Sequence, residues 1–565
     1  MSIIWRDWSK DSFQAAKESA KLILLDLTAS WCHWCHVMDE TTYSDHDIIL
    51  RIQENFIPVR VDIDMRPDIS ERYNRGGFPT TAFLSCKGEN IWGTTYIPPE
   101  NMHRIMDSIL AAKKNGEIDR ALTKVRMPHL DIPPKGKKSV GDEIKDNLDS
   151  LFEEILIAYD HEHGGFGDEP KFPHPDVIEL IASRYTRANS QSLAAIMRHT
   201  LFGISEGLYD EIDGGLFRYS VTRDWKIPHY EKMLDTNSGF LKNLIHAHIV
   251  LGDERFLEIA KGVANYMISV LQDGDSGGFF GSQDAQEIYY RLGKADRRKL
   301  IPPSIDRTVY AGWNADASHA LIDAGSRIGR DDWIAAGIRA FQFSMKELLD
   351  PGSDLVRHTR SQELYLFEDQ VSHLSSVRAN LELSGKKDLV DHAKRVIGSI
   401  DRTYEHAEGG RADIIVRDDV IGDLRRANRS LISNSKYAYE LAMFSGLSGD
   451  ERLLQEARDV LGAFDLQHVA AHGIFSASYL TAMDVIRSGL VIVNLYLDPR
   501  VETQHSELWK AARSVFDSRI VTMPHHQTQD SDEYAVICGG NSCSDKIVER
   551  AALLTAISEA LSSQV

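Results

Sequence analysis

The sequence predicts a multidomain protein with an α/β domain, then an all-α (α/α)6 toroid, then a small α/β segment at the C-terminus. Strand patterns and a Cys-x-x-Cys turn fall within residues 1–112, and helix after helix follows with Gly-Gly turns between them. Strand patterns return near Leu490. A chain of 565 residues is too long for one hydrophobic core, which agrees with several domains.

The hexapeptide at positions 31–36 reads Trp-Cys-His-Trp-Cys-His and follows the apolar strand pattern Leu22–Leu27. A helix that begins at the first cysteine lowers the pKa of its thiol, because the helix dipole favours the thiolate that attacks disulfides. We therefore predict a thioredoxin-like domain with Cys32 as attacking and Cys35 as resolving cysteine. A structural zinc site is the alternative, although adjacent residues on one helical turn fit a tetrahedral ion poorly. Two ordinary buried cysteines are the other alternative.

A proline stands where a thioredoxin-like site needs one. Val59–Asp62 reads as a second strand, and Phe78-Pro79 precedes the strand pattern Thr81–Leu84. Cis X-Pro bonds are uncommon enough to imply a purpose, and we predict one here. Pro79 would then lie against the dithiol and orient an extended substrate, which would pair with the backbone of Phe78. A trans loop proline is the alternative.

The composition of the chain excludes several classes of function. Hydrophobic residues make up 42% of the chain and charged residues 26%, which is typical of a globular protein. The net charge of −20 comes without a basic block, which argues against nucleic acid and membrane partners. Residues 1–10 lack an apolar signal core, and five cysteines are too few for a disulfide-stapled secreted scaffold. We expect a cytoplasmic protein with no metal and no cofactor beyond the Cys32–Cys35 disulfide.

The predicted boundaries are 1–127 for the thioredoxin-like domain, 128–141 for a Pro- and Gly-containing linker, 142–484 for the barrel and 485–565 for the α/β segment. Gly-Gly pairs recur at 164–165, 214–215 and 277–278. This spacing suits one helical hairpin per repeat, and six hairpins closing on themselves give the toroid. An open solenoid is the alternative.

The long loop at 213–235 is dense in polar and aromatic residues, and such loops on rigid scaffolds concentrate binding and catalysis. His229 and Glu231 are candidates for general acid and base. The candidate ligand-binding residues, in this loop and two later ones, are Asp213, Arg218, Tyr219, Asp224, Trp225, Lys232, Asp284, Trp313 and Asn314. The alternative is a structural loop whose charges satisfy one another, with Asn314 capping a helix that begins at Ala315 and Asp284 capping the residues from Gln286 onward.

These motifs resemble a family of thioredoxin-domain proteins that includes the spermatogenesis-associated thioredoxin-like protein of animals. The resemblance rests on Trp-Cys-His-Trp-Cys-His-x-Met at 31–38, Pro-His-Tyr-Glu-Lys-Met-Leu at 228–234, and the Cys538 and Cys543 pair. It implies a thioredoxin-like domain joined to an (α/α)6 barrel similar to N-acylglucosamine 2-epimerases and six-hairpin glycosidases. The chain departs from the family at Phe78, where tryptophan is usual, and in a shortened segment after Asp284.

Three functions remain open on these grounds. The first is a thiol-disulfide oxidoreductase that exchanges with a protein disulfide or a reductase. The second is a carbohydrate-active epimerase or glycosidase whose barrel binds a sugar-like small molecule, and a glycosidase needs two carboxylates that flank one bond. The third is a non-catalytic protein that senses redox state through its dithiol and changes its affinity for a partner.

Overall fold

The computed structural model describes residues 2–118, 120, 122, 143–417, 420–527, 532–540 and 542–563. The predicted linker 128–141 lies outside these residues, as does the boundary at 127. The chain forms two compact units. The first comprises Met1–Ser139 together with Asp284–Gln286 and Ile414–Asn428, and the second comprises the rest.

The first unit has a four-stranded sheet with helices around it. Its strands are β1 (Leu22–Thr28), β2 (Phe56–Asp62), β3 (Thr80–Leu84) and β4 (Asn90–Thr94). Its helices are α1 (Lys10–Glu18), α2 (His33–Glu40), α3 (His46–Asn55), α4 (Pro67–Tyr73) and α5 (Pro99–Lys114), with a short 3-10 turn at Thr42–Ser44. The strand order is β2-β1-β3-β4, with β1 parallel to β2 and the other pairs antiparallel. This is the thioredoxin-like arrangement that the sequence predicts.

A later segment of the chain completes the first unit. Tyr73, at the end of α4, donates its hydroxyl to Gly88 O at 2.7 Å and accepts from the Asp423 amide at 3.0 Å. Gly422 has φ +63°, and a Cβ there would lie 2.2 Å from the Tyr73 hydroxyl. Two constraints therefore favour glycine at 422, namely its left-handed backbone and the close approach of the Tyr73 hydroxyl.

The second unit is dominated by six helical hairpins. Their helices are α6 (Glu143–Ile157), α7 (Pro175–Ala188), α8 (Gln191–Leu208), α9 (Leu234–Leu251), α10 (Glu254–Tyr266), α11 (Ala311–Ile328), α12 (Asp331–Phe343), α13 (Phe367–Ser384), α14 (Lys387–Thr403), α15 (Leu431–Ser448), α16 (Glu451–Gly462) and α17 (Ala477–Ser488). Short helices at Glu287–Tyr290, Lys294–Arg297, Leu466–Ala471 and turns of other helix types lie between them. Two-residue strands also lie in the loops, at Tyr219–Ser220, Pro228–His229, Lys232–Met233, Ser282–Gln283, Ile305–Asp306, Leu349–Asp350 and Leu355–Val356.

The odd-numbered helices close into a ring. Helix α7 packs against α9, α9 against α11, α11 against α13, α13 against α15, α15 against α17, and α17 returns to α7. The even-numbered helices pack outside their partners. The odd-numbered helices therefore form a closed inner ring, and the toroid predicted from the Gly-Gly repeat is confirmed against the open solenoid.

The Gly-Gly turns share one hydrogen-bond pattern, which explains their recurrence. In the first turn the Asp160 amide donates to Gly165 O, and the Gly164 amide donates back to Asp160 O, at 2.9 Å each. The turns at 210–215 and 273–278 repeat both bonds. Gly164 and Gly165 have φ of +68° and +81°, a region that favours glycine.

The C-terminal segment forms a second sheet of four strands, β5 (Val491–Leu497), β6 (Ile520–His526), β7 (Tyr534–Gly539) and β8 (Ser542–Cys543). Its helices are α18 (Glu507–Arg513) and α19 (Arg550–Ser562). The strand order β6-β5-β7-β8, with one parallel and two antiparallel pairs, repeats the order of the first sheet. Val493, Trp509 and Leu553 pack with Leu383 of α13 in one core, so this segment is anchored on the barrel.

Helix α11 begins four residues earlier than the sequence indicated, at Ala311 rather than Ala315. Its early start is stabilised by Asp369, whose Oδ1 accepts from the Gly312 amide at 2.9 Å. Asn314 therefore lies inside the helix and is not its N-cap. Across the described ranges, no helix combines the length and apolar character that a membrane span requires.

Candidate redox and ligand-binding sites

Cys32 and Cys35 form a disulfide at the start of α2. Cys32 is the N-cap residue, and its Sγ accepts from the Cys35 amide at 3.2 Å. Backbone N–H groups at a helix N-terminus favour a negative charge, and they would stabilise the Cys32 thiolate once the disulfide opens. Both cysteines are buried, at 4% and 3% exposure, so a partner must approach closely.

The segment that carries Pro79 lies beside this turn. The Phe78–Pro79 peptide bond is cis, as the sequence predicted. The Phe78 ring meets the Trp31 ring edge to face at 6.5 Å between centroids, and the Trp31 indole donates to Asp64 at 2.5 Å. This contact connects the proline loop to the residue that precedes Cys32.

An apolar surface begins between the two cysteines. Trp34 is 49% exposed and packs on Tyr96 with ring centroids 5.5 Å apart. Tyr96 also lines a groove of about 320 Å³ together with Trp92, Pro98 and Arg104. An exposed tryptophan beside a groove of this kind suits contact with an extended protein segment.

A buried carboxyl group lies beneath α2. Asp26 of β1 is 1% exposed, accepts from Arg60 Nε at 2.7 Å and accepts from the Tyr43 hydroxyl at 3.4 Å. Tyr43 contacts Thr81 at 3.1 Å, and Thr81 lies 3.9 Å from the sulfur of Met38 on α2. Burial raises the pKa of Asp26 to about 6, although Arg60 opposes the shift.

Asp26→Asn should change how stability depends on pH. The folded state binds the Asp26 proton more tightly than the unfolded state, so the stability this proton confers is lost as pH rises from about 4 to about 6. Relative to the parent, Asp26→Asn should therefore gain about 3 kcal/mol between those limits. Calorimetric melting of the full chain across this range checks it, with Asp107→Asn at an exposed carboxylate as control. Parallel profiles for Asp26→Asn and the parent would contradict it.

In the second unit, the side chains of His229 and Glu231, the two candidates for general acid and base, contact each other. His229 Nδ1 contacts Glu231 Oε2, and the Glu231 side chain is fully buried. The His229 ring stacks on Tyr219 at 4.8 Å, and Tyr219 stacks on Phe172 at 4.7 Å. Because Glu231 holds Nδ1, Nε2 is the ring nitrogen left to exchange a proton with a ligand.

The other residues of the long loop are held by structural contacts. Asp213 pairs with Arg297 at 2.7 Å, and Asp224 accepts from Thr222 at 2.7 Å and pairs with Lys226. The Arg218 amide donates to Glu231 O at 2.9 Å, which fixes the loop backbone beside the His229 pair.

Trp225 and Lys232 lie inside the unit. The Trp225 indole donates to the carbonyls of His163 and Gly164, and its ring is 2% exposed. Lys232 is fully buried and donates to Asp210 at 2.7 Å and to Gly214 O at 2.6 Å. Burial lowers the pKa of Lys232 to about 8.

The candidate residues of the two later loops lie in different environments. Asn314 Oδ1 accepts from the Phe279 amide at 2.8 Å, and its Nδ2 donates to Ala340 O and Ser344. Asp284 accepts from the Ala285 amide at 2.7 Å and belongs to the first unit. Trp313 is half-buried in the first turn of α11 and packs on Tyr310.

A polar cluster on the inner helices was not predicted from the sequence. Asp176 of α7 accepts from Lys436 of α15 at 3.1 Å and from Ser478 of α17 at 3.0 Å. The Asp176 and Lys436 side chains are 43% and 51% exposed, although both belong to the inner ring. They therefore face open space within the ring rather than packed side chains.

Asp316 of α11 extends this cluster. Burial raises its pKa to about 6, with Lys436 and Lys242 acting in the opposite direction. Asp316 also takes a hydrogen bond from Ser372 of α13. Donors and acceptors on five inner helices thus converge, and each of these residues lies within the first two turns of its helix.

The described residues contain no group of three or more His, Cys, Asp or Glu side chains placed to hold a metal ion. The first unit thus contains a disulfide at Cys32 and Cys35, and the second contains the His229–Glu231 pair and the polar cluster of the inner helices.

These features define a class of protein in which a thioredoxin-like dithiol domain is joined to a six-hairpin helical toroid. Residues 1–118 match the family model described as Thioredox_DsbH, protein of unknown function, DUF255. Spermatogenesis-associated protein 20 of Mus musculus is 30% identical over 305 residues, which is 50% of this chain and 38% of that protein. The match thus spans less than half the length of this relative.

Two further similarities concern a thiol:disulfide interchange protein and an epimerase. The thiol:disulfide interchange protein DsbD of Campylobacter jejuni is 31% identical over 93 residues, which is 16% of each chain. The solved structure of cellobiose 2-epimerase from Bacillus thermoamylovorans is similar with a TM-score of 0.46 and 10% identity, over 56% of this chain and 85% of that one.

Proposed function

We propose that the protein is a thiol-disulfide oxidoreductase that acts through Cys32 and Cys35 on a disulfide or dithiol of another protein. The observation that carries this proposal is the placement of Cys32 at the N-terminus of α2, with the Cys35 amide donating to its sulfur. The similarity of 93 residues to a thiol:disulfide interchange protein supports the same reading.

In the reducing direction, the Cys32 thiolate attacks one sulfur of the substrate disulfide, and the other substrate sulfur leaves as a thiolate. Cys35 then attacks the Cys32 sulfur of the mixed disulfide, which releases the second substrate thiolate and closes the Cys32–Cys35 bond. The groove beside Tyr96 and the Phe78–Pro79 loop would hold the substrate segment. Two electrons and two protons pass to the substrate in each cycle.

The test is the reduction potential of the Cys32–Cys35 pair, measured in glutathione buffers with mass mapping of the alkylated cysteines. We expect one two-electron couple between roughly −270 and −120 mV, the range of known thiol exchangers. A pair that stays oxidised in every buffer would overturn the proposal. A pair that titrates but never exchanges with a protein disulfide would instead favour redox sensing.

A second function is favoured by the inner-helix cluster, in which the barrel binds a small polar molecule of the sugar class. Lys436, Asp176 and Asp316 offer donors and acceptors that hydroxyl groups use, and His229 with Glu231 offers proton transfer near aromatic rings. Asp213 and Asp224 are engaged in ion pairs with Arg297 and Lys226, so neither is favoured as one of the two carboxylates that a glycosidase needs.

Lys436→Met should weaken binding of such a ligand. Cellobiose and mannose are the probes, and titration calorimetry is the measurement. We expect the affinity of any sugar that binds to fall by about tenfold or more, since a charged donor is lost from the inner-helix cluster. Lys226→Met, at a surface lysine 79% exposed, is the matched control and should leave the affinity unchanged. Equal affinities for Lys436→Met and the parent would contradict this assignment.

A further inference from the structure

The C-terminal segment carries a second cysteine pair, far in sequence from the first. Cys538 lies one residue before the end of β7 and Cys543 ends β8, and the two stand directly opposite each other in the antiparallel ladder. They form a disulfide with Cα atoms 4.1 Å apart. Neither the oxidoreductase chemistry of Cys32 nor the barrel cluster uses this pair.

Backbone hydrogen bonds also hold this hairpin together. Ala535 and Ile547 exchange two backbone hydrogen bonds, at 2.7 and 2.9 Å, and the Ser544 amide donates to Ile537 O at 2.8 Å. The disulfide closes a ring of few residues, and short rings restrict the unfolded chain least. A disulfide at this position therefore contributes little to the stability of the folded protein.

The two sulfurs differ in access. Cys543 is exposed together with its neighbours Ser542 and Ser544, whereas Cys538 is half-buried. In thiol-disulfide exchange, the attacking thiolate, the attacked sulfur and the leaving sulfur lie nearly in line. The attacking thiolate must therefore reach the attacked sulfur from outside, and the more accessible sulfur is the one attacked. Attack at Cys543 makes Cys538 the leaving group.

A donor is placed at the leaving sulfur. Asn494 of β5 directs its Nδ2 at the Cys538 Sγ at 3.8 Å, and its Oδ1 lies 3.0 Å from His525 Nε2. Because an amide oxygen can only accept, His525 donates to it and turns the amide nitrogen toward the sulfur. His525 is itself held by stacking on Tyr496, with centroids 4.9 Å apart.

We propose that Cys538–Cys543 is a second redox-active disulfide, which accepts electrons from a thioredoxin-type dithiol. The donor thiolate attacks Cys543 Sγ, the Cys538–Cys543 bond breaks, and Cys538 leaves as a thiolate that takes the Asn494 hydrogen bond and then a proton. The second donor thiol attacks the first donor sulfur, which releases Cys543. The donor ends as a disulfide, and two electrons and two protons reach Cys538 and Cys543.

The test uses the full chain with Cys32→Ser and Cys35→Ser, so that only the second pair can react. The probe is reduced thioredoxin, regenerated by thioredoxin reductase and NADPH, with alkylation and mass mapping as the readout. We expect one NADPH consumed per chain, and both Cys538 and Cys543 alkylated in the folded protein. An intact Cys538–Cys543 bond with no NADPH consumption would overturn the proposal.

Asn494→Leu, made in the same background, tests the donor. We expect reduction to slow by about tenfold with the same end point, because the leaving thiolate loses a hydrogen bond to a charged atom. Ile492→Val, which lies opposite Cys538 in the sheet but carries no donor, is the matched control and should react at the parent rate. Equal rates for Asn494→Leu and the parent would refute the role of Asn494.

A last experiment uses a different electron donor in place of thioredoxin. This donor is the same protein with Cys538→Ser and Cys543→Ser, reduced beforehand at Cys32 and Cys35. Electron transfer in this mixture would make the chain's own first dithiol a competent donor. If thioredoxin reduces Cys538–Cys543 but the Cys32–Cys35 dithiol does not, the proposal for the second site is supported. The same result would count against the oxidoreductase role of Cys32. The two failures are therefore distinguishable.

Discussion

Cys35→Ser should trap the protein substrate as a covalent complex through Cys32. The mixed disulfide between Cys32 and the substrate is normally resolved by Cys35, whose amide is hydrogen-bonded to the Cys32 sulfur in the oxidised protein. A serine hydroxyl cannot attack that bond, so the complex accumulates and is released only by an added reductant. Non-reducing electrophoresis followed by mass spectrometry identifies both the complex and the attached sulfur.

Cys32→Ser should behave in the opposite way. We expect exchange to fall by roughly a thousandfold or more, because the attacking sulfur is gone. Cys86→Ser is the matched control, since Cys86 is a free cysteine outside the turn and should leave exchange intact. A complex that forms equally well with Cys32→Ser would place the nucleophile elsewhere in the chain.

The redox turn was predictable because its determinants are local. A strand, two cysteines three positions apart and the start of a helix are all contained in residues 22–40, and the structure places them as the sequence indicates. The Gly-Gly turns were predictable for the same reason, since each closes within a few residues and needs backbone that glycine adopts freely.

The barrel cluster was not predictable because its members share no local signal. Asp176, Asp316 and Lys436 each lie on a different inner helix, and each looks in the sequence like an ordinary polar position. Only closure of the ring brings them together. A periodicity analysis aligned on the Gly-Gly turns could have found them, because it would show a charged residue shortly after the start of several inner helices.

Trp225 shows the converse difficulty. Its position in a long polar loop made it a candidate ligand-binding residue, but the structure packs it against three glycines at 165, 203 and 207. A Cβ at Gly207 would lie 2.2 Å from the Trp225 carbonyl oxygen. These glycines lie on two separate segments, and no sequence pattern indicates that they contact Trp225.

Arg513→Met should be among the most destabilising single changes in the second unit. Arg513 of α18 is buried, contacts Asp323 of α11 and donates to Glu382 of α13 at 3.2 Å. Asp323 also pairs with Arg327 and His246. Burial alone would raise the pKa of Asp323, but Arg327 and Arg513 hold it well below its usual range, so the carboxylate stays ionised.

Removal of Arg513 leaves two buried carboxylates with one fewer cation between them. Breaking a buried ion pair in this way costs about 3–5 kcal/mol, because the remaining charge stays desolvated. Calorimetric melting of the full chain measures the loss. Arg330→Met is the matched control, because Arg330 pairs with an Asp332 side chain that is 58% exposed and should cost under about 1 kcal/mol.

The comparison also tests whether the C-terminal segment is part of the barrel's stability. Arg513 belongs to that segment, whereas Asp323 and Glu382 belong to inner helices. If the segment were an independent appendage, Arg513→Met would lower only its own melting and spare the barrel transition. We expect the barrel transition itself to fall, because the two carboxylates left without Arg513 are buried between the inner helices α11 and α13.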